Sequence, residues 1–420
     1  RDTGAPAQSG MRRHQAGFRL DTELGGAGAV LQGDAYRASL HNPGTRDTDL
    51  AGANLLGRLS QPLGEDGELR VQAYLDYTAR DQANSINEHL STVDLDLQHS
   101  LRLAPSAYLV WGGGHRIARD RVANPLTLAF LPANRDLVWT NLFVQGEWTP
   151  WTPLRLVGGL RAERNSYSGI GHLPYASVAF QAAPEQTWWA SLARALRAPS
   201  RIDRDFYAPA NGLPRYLLAG GPDFVSEVAR VAQLGYRGQL ARRLSVAATA
   251  FYSHYDLLRT IEYDARGAAV FRNNGAGSAR GLELSASWEL AANWRLTGGA
   301  TAQRLQVGSK PGSKDLSTGG LVGGDPRSWS MLRSSYDWSE TVDLDATLRH
   351  VGALPAPAVA SYTVLDARIG WRVRPDLALS LQALNLGAPA HPEFGAASTP
   401  TRPGRSLFGP TLYGQLIWRF

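Results

Sequence analysis

The chain has 420 residues, 44 of them glycine and none cysteine, with 43% hydrophobic residues and a formal net charge of +6. No stretch approaches the roughly eighteen apolar residues of a spanning helix, which excludes a helical membrane protein. A membrane β-barrel survives the same test, because its apolar residues alternate with lumen residues. Lack of cysteine removes thiol catalysis, disulfides and cysteine-based metal sites. The excess charge is diffuse and arginine-rich, with no basic run of the kind that marks nucleic-acid binding.

The first residues, Arg1-Asp-Thr-Gly-Ala-Pro, lack the apolar core of a secretion signal, so a leader is expected to have been removed or to lie upstream. Residues 1–12 read as a disordered or loop remnant. From residue 13 onward, period-two segments recur to the end of the chain. They fall at 13–22, 27–38, 50–60, 67–80, 89–103, 106–119, 136–149, 152–165, 172–183 and 186–197. They continue at 225–239, 242–255, 277–290, 292–305, 327–339, 341–352, 361–372, 375–386 and 410–420. Val93, Leu95 and Leu97 interleave with Asp94, Asp96 and Gln98, and Leu282, Leu284, Ala286 and Trp288 with Glu283, Ser285 and Ser287. Strands of about ten to fourteen residues exceed the usual soluble length of five or six and match what a tilted strand needs to cross a bilayer.

The gaps alternate short and long. Ala104-Pro-Ser, Pro150-Trp-Thr, Pro184-Glu, Ala291-Ala and Arg374-Pro are short, whereas 120–135, 198–224, 256–276, 306–326 and 387–409 are long. A sandwich or propeller has no reason to sort loops by parity; an outer-membrane barrel does. Within 256–276, residues 257–272 read as strands extended beyond the membrane, which leaves parity intact. Nine of the twelve tryptophans, Trp148, Trp151, Trp188, Trp189, Trp288, Trp294, Trp338, Trp371 and Trp418, lie near a short turn or the C-terminus, as an aromatic girdle requires. The last strand places Leu412, Leu416, Trp418 and Phe420 on one face and Thr411, Tyr413, Gln415 and Arg419 on the other, with Ile417 the exception. The fold class expected is therefore all-β, a transmembrane antiparallel β-barrel with short periplasmic turns and long extracellular loops.

Several motifs carry a family resemblance. They are Trp189-Ala-Ser-Leu-Ala-Arg-Ala-Leu-Arg-Ala-Pro-Ser-Arg-Ile-Asp-Arg-Asp-Phe206, Phe143-Val-Gln-Gly-Glu-Trp148 and Gly277-Ser-Ala-Arg-Gly-Leu-Glu-Leu-Ser-Ala286. Tyr362-Thr-Val-Leu-Asp-Ala-Arg-Ile-Gly-Trp371, Leu381-Gln-Ala-Leu-Asn-Leu386 and Tyr413-Gly-Gln-Leu-Ile-Trp-Arg-Phe420 follow in order. From about residue 13 the chain resembles the barrel of TonB-dependent outer-membrane receptors of Gram-negative bacteria. The resemblance implies a barrel of twenty-two strands around an N-terminal plug. Nineteen strands are readable, and neither plug nor TonB-contacting box is visible, so the expectation is a barrel without its plug and about three first strands.

The resemblance further implies uptake of a scarce nutrient, most of all a ferric siderophore, energised by the TonB–ExbB–ExbD system through a plug. It also implies contact with outer-membrane lipid, and insertion by the barrel-assembly machinery through the C-terminal signature Tyr413, Leu416, Trp418 and Phe420. No cofactor and no enzyme activity are expected. Arg201, Arg204, Phe206, Tyr207, Arg215 and Tyr216 in the longest loop are the candidate ligand contacts, since arginines with aromatics suit an anionic, ring-bearing ligand. The bland alternative is a self-packed loop whose arginines pair with Asp203, Asp205 and Asp223. Haem uptake is disfavoured: Leu196-Arg-Ala-Pro199 has no second box after it, and the next histidine, His254, ends a strand. The remaining histidines are scattered singly, and Asp94 with Asp96, or Asp343 with Asp345, read as ordinary lumen residues rather than as a cation site or acid pair. A porin-like passive channel or a non-functional barrel remnant is the alternative to a receptor. An outer-membrane protease or phospholipase lacks a matching Ser/His/Asp set.

Overall fold

In a lipid-facing sheet every backbone N–H and C=O needs a partner, so strands must be long and paired without gaps. The computed structural model describes residues 10–83, 85, 87–209, 215–317, 324–395 and 405–419. It opens with β1 (Gly10–Leu24), β2 (Ala27–His41), β3 (Thr48–Leu63), β4 (Gly67–Asp81), β5 (Asn87–Ala104) and β6 (Ala107–Ala123). Next come β7 (Ala129–Phe130), β8 (Asn134–Trp151), β9 (Leu154–Asn165), β10 (Gly169–Ala183) and β11 (Gln186–Arg197). The longest loop holds α1 (Arg201–Asp205), β12 (Phe206–Pro209) and β13 (Tyr216–Ala219). Then follow β14 (Glu227–Ala241), β15 (Leu244–Tyr263), β16 (Ala269–Ala291), β17 (Trp294–Ser309), β18 (Ser328–Asp337) and β19 (Val342–Val351). The chain closes with β20 (Leu354–Pro355), β21 (Ala358–Val359), β22 (Tyr362–Arg374), β23 (Leu377–Leu386) and β24 (Thr411–Trp418).

Nineteen of these are long strands, each antiparallel to its neighbours along the chain, and they coincide with the nineteen segments read from the sequence. The first begins at Gly10, three residues earlier than expected. The main sheet counts 22 strands because β7, β12 and β13 join it from the loops; β20 and β21 form a separate hairpin. The segment 257–272 lengthens β15 and β16 through continued pairing as far as Tyr263 and Ala269, as read. Among the described residues, β1 pairs only with β2 and β24 only with β23, and all residues of both are exposed.

The connections sort by side. Residues 25–26, 64–66, 105–106, 152–153, 184–185, 242–243, 292–293, 338–341 and 375–376 close tight turns on one side. The other side carries every long excursion, including 198–226, 310–327 and 387–410.

Faces alternate as the pleat demands. Leu95, Leu142 and Leu284 are 52%, 70% and 48% exposed on the outer face, an apolar display that only lipid makes favourable. Eight of the nine girdle tryptophans stand exposed near the tight turns, and Trp189 turns inward over Gly235. Inside, aromatic rings lie flat across their register partners. Phe143 covers Gly112 and Phe251 covers Gly281, where a Cβ would come within 3 Å of the ring; glycine is needed there for close approach. Charged ladders line the same inner face. Arg116 donates to Asp94 at 2.7 Å, and Arg333 and Arg368 donate to Asp345 at 2.9 and 3.1 Å. Asp343 also receives Arg368. These carboxylates are thus structural members of the lumen wall. At the end of the chain Tyr413 donates to Gln382 at 2.5 Å and Trp418 to Asp376 at 3.1 Å; Leu416 is 63% exposed on the outer face, and Phe420 lies outside the described residues.

The two faces predict an asymmetry. Leu95→Arg should destabilise the barrel in lipid vesicles by about 2–4 kcal/mol, whereas Asp96→Asn on the inner face should change little. Urea unfolding followed by tryptophan fluorescence distinguishes them, and equal effects would contradict the assignment of faces.

Candidate functional site

The longest loop, 198–226, is built around buried charge. Ser200 caps α1: its hydroxyl accepts from the Asp203 amide at 3.3 Å, while its own amide donates to the Asp203 carboxylate at 2.9 Å. This reciprocal box fixes the start of the turn. Asp203, fully buried, also receives Arg197 from the end of β11 and Arg259 from the extension of β15, both at 3.0 Å. Burial alone would push its carboxyl up. The amide and hydroxyl of Ser200 and the Arg197 guanidinium outweigh that and hold it below the usual carboxylate range.

Asp205, 4% exposed, forms the second node. It accepts from Arg135 at 3.0 Å, from Arg201 at 3.2 Å and from the Tyr167 hydroxyl at 2.7 Å. Burial, with Asp205 beside it, raises the Tyr167 hydroxyl well above its ordinary value, so it stays protonated and donates. Arg201, 6% exposed, reaches Asp120 at 2.9 Å and the carbonyls of Ala133, at 3.1 Å, and Pro132. Its guanidinium stacks 4.9 Å from the Phe130 ring centroid. On the far side of Asp120, burial and the Asp120 carboxylate push the Glu88 carboxyl up.

The backbone continues what the charges begin. β12 pairs with β7, β12 with β13, and β13 runs parallel to β16, so the loop bridges from 124–133 to the β15–β16 extension. Gly220 and Gly221 allow this closeness, since a Cβ on Gly221 would meet the Phe271 carbonyl at 2.0 Å.

The six candidate contacts separate into two groups. Arg201 is an anchor, buried and committed to Asp120 and Asp205. Arg204 donates to the Phe224 carbonyl at 2.8 Å and lies 5.4 Å from the Tyr167 centroid. Phe206 packs edge-on against Phe130 at 5.8 Å. Tyr207, Tyr216 and Arg215 come together at the surface: the two tyrosine rings are 4.7 Å apart and Arg215 lies 5.3 Å from Tyr216. Asp203 and Asp205 do pair with arginines of the loop, as in the self-packed reading, and Asp223 lies 3.5 Å from Arg272. Sequence reasoning missed Asp120, Arg135, Tyr167 and Arg259. They come from other loops and strand ends, and their only local signal is a charged or phenolic residue at a strand end. Among the described residues no cluster of His, Cys, Asp and Glu could hold a metal ion.

A family model described as "TonB dependent receptor-like, beta-barrel" matches residues 1–386. The chain belongs to the TonB-dependent receptors. This receptor barrel is 26% identical over 180 residues to the catecholate siderophore receptor Fiu of Escherichia coli K12, an overlap of 40% of this chain and 23% of that protein. It thus aligns with about a quarter of the curated relative's length. Among solved structures, the ferric enterobactin receptor PfeA of Pseudomonas aeruginosa superposes with a TM-score of 0.81 at 15% identity, covering 98% of this chain and 70% of that one. The Serratia marcescens hemophore receptor HasR superposes with a TM-score of 0.77 at 16% identity, covering 98% and 72%. Receptors with such different named ligands share this barrel equally well, so the fold by itself selects no cargo. The family is one of receptors and transporters, not enzymes.

The buried network sets an acid limit on the loop. A carboxyl held below its unfolded value stabilises the fold fully above the unfolded pKa, about 4 for Asp, and that contribution is lost as pH falls through the folded value. Protection of the 201–206 amides from hydrogen exchange should therefore be high at pH 6 and decline below pH ~4. Asp203→Asn should lower it at pH 6 by an amount equivalent to about 1–3 kcal/mol. Unchanged protection in the variant would show that the ion pairs do not hold the loop.

Proposed function

We propose that the chain forms the barrel of an outer-membrane uptake receptor for a ferric siderophore of the catecholate class, working with the TonB–ExbB–ExbD system. The observation that supports this best is the surface cluster of Tyr207, Tyr216 and Arg215, carried on a loop whose base is pinned by buried ion pairs. A ferric catecholate is anionic and edged with aromatic rings, so it can stack on the two tyrosines while a guanidinium meets its charge. The cluster needs no ordering at the moment of binding, because α1, β12 and β13 already hold its two arms. Fiu is named for catecholate siderophores and PfeA for ferric enterobactin, which agrees with a siderophore as cargo. The narrowed assignment is that Arg215, Tyr216 and Tyr207 touch ligand, while Arg201, Arg204 and Phe206 hold the loop that presents them.

Uptake itself depends on a plug domain that moves, and the barrel walls supply only the passage. The charged lumen ladders fit that role, since they keep the inner wall polar and rigid beside a water-filled path.

Binding of ferric 2,3-dihydroxybenzoate to the purified full chain, read by quenching of tryptophan fluorescence, tests the assignment. The double variant Tyr216→Ala with Arg215→Ala should weaken binding at least tenfold. Arg58→Gln on the inner wall should leave it unchanged. Equal affinity of the native chain and the double variant would remove this cluster from ligand recognition.

A further inference from the structure

The outer face carries charge where a lipid-facing surface has no internal use for it. Register pairing puts Arg194 of β11 beside Arg230 of β14, and Arg230 beside His254 of β15. One pleat step nearer the tight turns, Tyr252 of β15, Arg280 of β16 and Arg304 of β17 stand side by side. Five cationic or basic side chains thus occupy five neighbouring strands. All lie on the face marked outward by Leu192, Leu234, Leu282 and Leu284, which are 63%, 54%, 43% and 48% exposed. At about 4.8 Å per strand, the row extends about 20 Å.

None of the five forms a salt bridge among the described residues; Arg194 donates to the His172 carbonyl, and Arg230, Arg280 and Arg304 are exposed. The nearest outward acid, Asp256, is taken by Lys310 at 2.5 Å. Elsewhere the same level of the outer face mixes signs: Arg119 and Arg121 pair with Asp136, and Arg37 lies near Asp49 and Asp81. The β11–β17 panel carries five such side chains on five neighbouring strands.

Directly below the cations the face is hollow. A cavity of about 640 Å³ is lined by Pro174, Ala176, Ala232, Leu192 and Tyr252, with Arg194, Arg230 and His254 at its rim. The small side chain of Ala232 leaves a trough between its register neighbours Leu192 and Tyr252, and Ala176 leaves a second gap on the other side of Leu192.

The row rises toward the bilayer boundary. Along β11 six residues separate Trp188 of the girdle from Arg194, along β16 eight separate Trp288 from Arg280, and along β17 ten separate Trp294 from Arg304. At about 3.3 Å per residue and a tilt near 40°, these are about 15, 20 and 25 Å of height, so the row climbs through the upper part of the ~25 Å apolar band of such barrels and reaches its edge at β17.

We infer that this panel is a binding site for a phosphorylated lipid of the outer leaflet: an acyl chain lies in the trough, and headgroup phosphates meet Arg194, Arg230, His254, Arg280 and Arg304. Guanidinium groups bind phosphate oxygens in pairs, and lipid tails cover the leucines around them. The site rests on the outer-membrane placement proposed above but not on the cargo, and its test involves no uptake.

The test is binding to the full chain in non-ionic detergent, read by native mass spectrometry and by lipid-dependent thermal stabilisation. The probes are a bis-phosphorylated, acylated disaccharide lipid, its dephosphorylated counterpart and inorganic phosphate. The phosphorylated lipid should bind at least tenfold more tightly than the dephosphorylated one, and the triple variant Arg194→Ala, Arg230→Ala, Arg304→Ala should lose that preference. Should the triple variant not fold, Ala232→Trp fills the trough with the charges intact and should also weaken binding at least tenfold. Equal binding of the two lipids, retention of the preference in the folded triple variant, or no loss with Ala232→Trp would overturn the proposal. Full competition by millimolar inorganic phosphate would reduce the site to an anion patch and overturn it equally.

Discussion

The rest of the molecule depends on one constraint: backbone amides that face hydrocarbon must all be paired with other backbone. Long strands, antiparallel neighbours and tight turns on one side follow directly. So does the two-faced character of each strand, because the pleat sends alternate residues to lipid and lumen. The lumen ladders of Asp94, Arg116, Asp345 and Arg368 are the inner expression of this rule, and the exposed leucines and tryptophans its outer one. Paired carboxylates on such a wall gain partners from the neighbouring strand and need no chemistry to account for them.

The longest loop projects beyond the paired wall. There, backbone pairing weakens and side-chain charge takes over. Asp203 and Asp205 sit buried at the base of the longest loop, each shared by two arginines from different parts of the chain. An isolated buried carboxylate would be strongly disfavoured, so these nodes form only when strand ends from β6, β8, β11 and β15 arrive together. The loop is thereby fixed by the barrel beneath it, and the half-buried Tyr207 and Tyr216 and the exposed Arg215 sit on that base.

Much of this was legible without coordinates. Nineteen long strands, the sorting of loops, the extension at 257–272 and the tryptophan girdle all follow from local periodicity, which a single strand expresses by itself. The loop was only half legible. Arginines and aromatics between 198 and 224 marked a candidate segment, but their roles did not separate, because Arg201 and Arg215 look alike in sequence. Asp120, Arg135, Tyr167 and Arg259, which divide them, lie far away along the chain. The basic row on the outer face was invisible for the same reason. Arg194, Arg230, His254, Arg280 and Arg304 are scattered singly through the sequence.

The sequence by itself determined the wall: period, strand length, turn side and the chemistry of each face, since these depend on neighbours one to four residues apart. Only the tertiary structure decided which arginine is an anchor and which is free, and which single cations fall into one line. Those outcomes depend on strand register and on loops meeting across the barrel mouth, and register is a property of pairs of strands rather than of any one.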